Sequence, residues 1–170
     1  VNPIVMGQFQ NFFYQYSDGK HFYFPTDDGT IHLFDLNGKE INTIKPAYTA
    51  VPLSGKLADS YDQFFKTDIR FKRIYTLDRQ NVEFPKQLKP IKAHRVIDGK
   101  IYIITNNKNP KGYDSFIYST EGKLLKRLPL QIMDRDILEL YPFAIKDGKL
   151  FQLVENDDES YELQVSDIWK

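Results

Sequence analysis

Four times in this chain a Gly-Lys pair follows Asp or Ser, and the spacing of these turns limits what the sequence can become. They are Asp18-Gly19-Lys20, Ser54-Gly55-Lys56, Asp98-Gly99-Lys100 and Asp147-Gly148-Lys149, recurring about every 40 residues. A second turn recurs between them, as Asn37-Gly38-Lys39, Asp78-Arg79-Gln80-Asn81 and Glu121-Gly122-Lys123. Gly and Asn accept the positive φ of a tight hairpin, and Asp bonds to its own backbone. Two such turns per period imply about four strands per unit.

The runs between the turns alternate as half-buried strands do. His21-Phe22-Tyr23-Phe24 and Ile31-His32-Leu33-Phe34 are the clearest pair. Ile101–Thr105, Ser115–Ser119, Leu150–Val154 and Tyr161–Val165 follow the same plan. Aromatic residues, 15% of the chain and mostly Phe and Tyr, suit strands. The reading is therefore all-β, built of four-stranded antiparallel meanders with strands a to d. The units are placed at about 9–45, 46–90, 91–130 and 140–170. In the second unit, strand b is expected within Leu57–Phe65, although Ala58-Asp59-Ser60 interrupts the pattern. Residues 131–139 form an insertion expected to hold one helical turn. The fourth unit stops after strand c, and Pro3–Phe9 supplies an extra strand at the start. Meanders repeating at this period are the pattern of β-propeller blades, which bury both sheet faces by stacking radially. A plain antiparallel β-sandwich is the alternative.

Lys+Arg and Asp+Glu both number 23, so bulk charge favours neither nucleic acid nor an anionic membrane. There is no cysteine, which removes disulfides and thiolate chemistry. No apolar run approaches the length of a membrane-spanning helix. The chain starts at Val1 without a charged-then-apolar leader, which reads as a processed or trimmed product.

Ile31-His32-Leu33-Phe34-Asp35-Leu36-Asn37-Gly38-Lys39 resembles a blade segment of the six-bladed, NHL-like propellers. Tyr141–Leu150 with Glu155-Asn156-Asp157 is similar to the last blade of bacterial six-bladed β-propeller proteins. The resemblance implies an exported, periplasmic or cell-surface protein. It departs in holding about four units rather than six. It therefore implies either the C-terminal blades of a longer protein or a self-closed ring of four. The first implies a partner, the missing blades or a second copy. The second would pair Ile4-Val5-Met6 beside Tyr161–Val165.

In a meander, the b–c loops and the crossings from strand d to the next strand a share one irregular face, where such scaffolds hold ligands. Thr26–Thr30, Asn106–Gly112 and Asn156–Ser160 are expected there. That face brings Asp27, Asp28, Asp157 and Asp158 into consideration, as oxygen ligands for a cation or as solvated loop tips. Tyr48 and Tyr141 are candidate aromatic platforms for a sugar or peptide. His94 lies in an innermost strand between Lys92 and Arg95, in register with Tyr14, Ala50 and Phe143, where a polar side chain can face a central channel. No phosphate loop, nucleophile elbow or metal-binding histidine spacing is present. The expectation is a non-enzymatic binding or scaffold module without a cofactor, its ligand a protein, peptide or glycan. A metal-dependent, lactonase-like propeller hydrolase is the alternative.

Overall fold

The computed structural model describes residues 16–77 and 79–168 with their side chains, and Ile4–Val5 as backbone. In chain order, β1 (Ile4–Val5) precedes β2 (Tyr16–Ser17), β3 (His21–Pro25), β4 (Ile31–Asp35) and β5 (Glu40–Ile44). Helices α1 (Gly55–Thr67) and α2 (Lys72–Leu77), a 3-10 turn (Arg79–Asn81) and β6 (Val82–Glu83) follow. Then come β7 (Ile91–Ile97), β8 (Lys100–Asn109), β9 (Gly112–Ser119) and β10 (Leu124–Leu130). β11 (Phe143–Lys146), β12 (Lys149–Glu155) and β13 (Tyr161–Asp167) close the series.

The chain is mostly β, and its three larger sheets are antiparallel meanders. The first is β2-β3-β4-β5, the middle β7-β8-β9-β10, the third β11-β12-β13. Within the three meanders the turn chemistry behaves as read, whereas Arg79–Asn81, expected in a second hairpin turn, is a 3-10 turn. At Asp98-Gly99 both central residues are left-handed, with φ of 49° and 69°, which is a two-residue I′ hairpin between Ile97 and Lys100. Asp147-Gly148 repeats it with 49° and 73°. The second turns repeat at the level of single hydrogen bonds. Asp35 N–H donates to Lys39 and Gly38 N–H to Asp35, as Ser119 N–H does to Lys123 and Gly122 N–H to Ser119.

The sheets stack in series, and the middle one is covered on both sides. One face of it, Ile101, Ile103, Phe116 and Tyr118, packs against Tyr23, Ile31, Leu33 and Ile44 of the first sheet. The other, Tyr102, Ile104, Tyr113 and Ile117, packs against Ile145 and Leu150 of the third. Two covered faces explain why Ile101-Tyr102-Ile103-Ile104 is apolar without alternation. Three sheets in series also set this stack apart from a two-sheet sandwich.

Residues 46–90 correct the sequence reading. They do not form a four-stranded unit, and Leu57–Phe65 is helix rather than strand b. Leu57, Ala58, Tyr61, Phe64 and Phe65 recur at helical spacing, and the exposed Asp59 and Ser60 lie on the opposite face of α1. Gly55, expected in a hairpin, opens α1 instead. The helices gather Tyr61, Phe65, Tyr75, Val82 and Leu88 into a third core, which Leu138 completes from the crossing between β10 and β11. The two ends of this excursion run side by side: Leu53 N–H donates to Lys86 O at 3.0 Å and Leu88 N–H to Val51 O at 2.9 Å. A helical subdomain thus stands on a two-stranded stem in the crossing from the first sheet to the middle one.

Three smaller expectations also change. Residues 131–139 contain no helical turn; Asp136 accepts from Leu138 and Glu139 N–H and holds a bend there. The expected loop Asn106–Gly112 is largely hairpin, because β8 runs on to Asn109 opposite Gly112. The extra N-terminal strand is seen only at Ile4–Val5, which pairs in parallel with Val82–Glu83 and not beside Tyr161–Val165. The rest of Pro3–Phe9 lies outside the described residues, as does Tyr14. Among the described residues no helix is long and apolar enough to cross a membrane.

Candidate functional site

Side chains from the first strands of the three sheets come together. Tyr16 on β2, His94 and Arg95 on β7, and Phe143 on β11 form one cluster there. The Arg95 guanidinium carbon lies 5.1 Å from the Tyr16 ring centre and 4.5 Å from that of Phe143. One cation is thus held between rings from the first and third sheets. Its Nη1 donates to the carbonyl of His94 at 2.8 Å. Among the described residues no carboxylate pairs with Arg95, and residues 1–15 contain no Asp or Glu. Arg70, Arg79, Arg127 and Arg135, by contrast, each reach a carboxylate.

His94 lies on the other side of Tyr16, its ring edge-on at 4.9 Å. It is 3% exposed, and among the described residues its Nε2 has no hydrogen-bond partner. Burial, with the Arg95 charge adding to it, moves the imidazole from 6.5 down to about 4, so it is neutral at pH 7.

Lys92, two residues earlier on β7, serves a different group. Its ammonium lies 3.3 Å from Asp134 and 3.4 Å from the carbonyl of Ile137. Asp134 also accepts from Lys108 at 2.6 Å and from the Tyr113 hydroxyl. Both ammonium groups stand over the Tyr113 ring. Burial pushes the Lys92 ammonium below its ordinary range, against the pull of Asp134. Burial pushes the Asp134 carboxyl up, but the bonds from Lys108 and Tyr113 outweigh it and leave it below its ordinary range. The cluster fastens the 131–142 crossing to β7.

On the loop face the aspartates hold turns. Asp28 accepts from Thr26, from Thr30 N–H and hydroxyl, and from Lys45 at 2.8 Å. The bond from Lys45, then those from the two threonines, keep its carboxyl well below the usual range. Asp158 repeats the arrangement with Ser160 N–H and hydroxyl. Thr26–Thr30 and Asn156–Ser160 are one loop built twice, each closed by a 2.8 Å bond from its first N–H to its last carbonyl. Asp27 pairs with Lys89 at 2.9 Å, and Asp157 is exposed at its loop tip.

Tyr48 is half-buried and donates to the carbonyl of Gly29, under the Thr26–Thr30 loop. Burial pushes its phenol well above the usual range. It shares with Asp28, Lys45, Val51, Gln87 and Lys89 the lining of a cleft of about 280 Å³, between that loop and the stem of the helical subdomain. Tyr141 is at the third sheet, its hydroxyl 3.5 Å from the carbonyl of Glu155.

Of the residues singled out from sequence, Asp28 and Tyr48 are brought together, with Asp27 nearby through Lys89. Lys92 and His94 share a strand but belong to separate clusters. Tyr141, Asp157 and Asp158 join neither. Among the described residues no three His, Asp or Glu side chains gather closely enough to hold a metal ion. Sequence reasoning took Arg95 only as a charge beside His94 and missed its clamp. The register that aligned His94 with Phe143 was the available signal, one residue from the contact made. No protein-family model matches the chain, and no curated protein matches it.

Proposed function

We propose that the three stacked sheets are blades of a six-bladed β-propeller of the NHL-like kind, and that the chain is a non-enzymatic binding or scaffold module working outside the cytoplasm. The observation that carries this reading is the convergence of β2, β7 and β11, whose side chains meet at Tyr16, Arg95 and Phe143. First strands converge while later strands spread when sheets are arranged about an axis. The placement of export rests on the sequence resemblance alone. The binding role is supported by how the ionisable groups are used. On the loop face they are taken up in turns and ion pairs, whereas Arg95 lies between the first strands with rings beside it and, among the described residues, no carboxylate partner. This reading puts the ligand where β2, β7 and β11 come together.

The test is an amide NMR titration with short oligosaccharides, short peptides and small organic acids, run beside lactone and ester hydrolysis assays. The expected result is saturable shifts in β2, β7 and β11 without turnover. Turnover abolished by Lys92→Met or Asp134→Asn, in variants that remain folded, would replace this reading with a hydrolase.

A further inference from the structure

We infer that the inner edge of the sheets binds a carboxylate-bearing small molecule through the guanidinium of Arg95, held in place by the rings of Tyr16 and Phe143. This rests on the binding reading above and names the chemistry of its ligand.

A guanidinium is planar and always charged. Its faces stack on aromatic rings, and its five N–H donors point outward in the plane between them. Arg95 has a ring from each neighbouring sheet beside it, Tyr16 at 5.1 Å and Phe143 at 4.5 Å. One donor nitrogen, Nη1, is engaged by the carbonyl of His94. Among the described residues its other donors have no partner, and two donors on one guanidinium edge take a planar carboxylate through two parallel bonds.

Among the described residues no carboxylate answers this cation. The sequence before β2 carries no acidic residue, so it holds no carboxylate for this cation. Arg70 shows what a satisfied arginine looks like here. It too lies against two rings, Phe64 and Phe71, but it also reaches Asp68, Asp136 and Glu139. Arg95 has the rings without the acids. It is half-buried, so water screens it less than a surface charge and a ligand anion gains more from pairing with it.

The experiment follows the Arg95 Nε–H resonance of the full chain while D-glucuronate or N-acetylglycine is added, with glucose and N-acetylglycinamide as neutral counterparts and inorganic phosphate as a third anion. The expected result is a saturable shift with at least one carboxylate and none with its neutral counterpart. Which carboxylate binds tells a sugar acid from a peptide terminus. Arg95→Lys keeps the charge but loses the fork, and should weaken binding about tenfold. Equal shifts from the neutral compounds, a linear response without saturation, or a stronger response to phosphate would overturn the inference. The wild-type titration decides even if the variant fails to fold. Saturable binding elsewhere with a silent Arg95 would sink this inference and leave the binding reading standing. An Arg95 shift accompanied by hydrolysis would do the reverse.

Discussion

The ammonium of Lys92 lies 3.3 Å from the carboxylate of Asp134, and this pair joins β7, an edge strand of the middle sheet, to the crossing that leads into the third. The Lys92 side chain is 5% exposed, so its charge has little water to fall back on. Replacing Asp134 by Ala should cost about 2–3 kcal/mol, mostly from leaving a buried cation unpaired. Lys92→Met in the same background should recover much of that loss. Urea denaturation of the two single variants and the double variant measures the coupling. Additive losses would show that the pair is not a unit.

His94 makes stability depend on pH in a window set by its own shift. The folded protein binds its proton only near pH 4, while the unfolded chain binds it near 6.5. The unfolded state therefore holds more protons between these values, and stability rises with pH across that range. The contribution is complete above about 6.5 and is lost as pH falls toward 4, on the order of 3 kcal/mol in total. His94→Phe keeps a ring against Tyr16 and should flatten the dependence between pH 6.5 and 4.5. Denaturation midpoints for both proteins across that range are the measurement. Parallel curves would place the acid sensitivity elsewhere.

What could be read from the sequence was whatever is decided locally. Asp98-Gly99 and Asp147-Gly148 are hairpins because of two residues each, and neighbouring runs only have to agree. Covered faces were partly legible, since a run like Ile101–Ile104 has no side to give to water. The excursion over 46–90 was misread because alternation was sought where the apolar period is helical. Ser54-Gly55-Lys56 looks the same at the start of a helix as in a turn. Asp28 and Asp158 were equally compatible with a cation and with a five-residue loop. Their bonds to Thr30 and Ser160 place them in the loops. The clamp on Arg95 was out of reach, because it joins side chains of three sheets whose order no single stretch reports.

Gly29 separates two costs that glycine turns often mix. Its φ is +82°, and an added Cβ would lie 2.5 Å from Tyr48 Cε2 and 2.8 Å from Pro90 Cβ. At Gly99 the φ is +69° but nothing lies within 4 Å of an added Cβ. Gly99→Val should therefore cost roughly 1–2 kcal/mol from backbone strain alone. Gly29→Ala, though the smaller substitution, should cost about 2–3 kcal/mol and shift the Tyr48 ring resonances. Urea midpoints rank the two. A Gly29→Ala protein as stable as wild type would mean that Tyr48 does not hold the loop as described.

The ends of the stack carry the last prediction. On the outer face of the third sheet Leu153 stands opposite Leu163, and Phe151 opposite Val165. Leu163 is 60% exposed and Val165 50%, with Tyr161 at 60% beside them. At the other end Phe22, Phe24 and Phe34 form a ring cluster on the outer face of the first sheet. Soluble monomers seldom leave contiguous apolar faces of this kind open, and stacked sheets cover them with the next sheet. The 20.0 kDa chain alone should therefore associate as its concentration rises. The double variant Leu163→Lys with Val165→Lys should return it toward a monomer without loss of the middle-sheet core, because both positions point away from β12's buried Leu150 and Val154. Sedimentation velocity over a concentration series tests this. A wild-type chain that sediments as a monomer throughout would mean that these faces need no cover, and the proposal of further blades would lose its main physical reason.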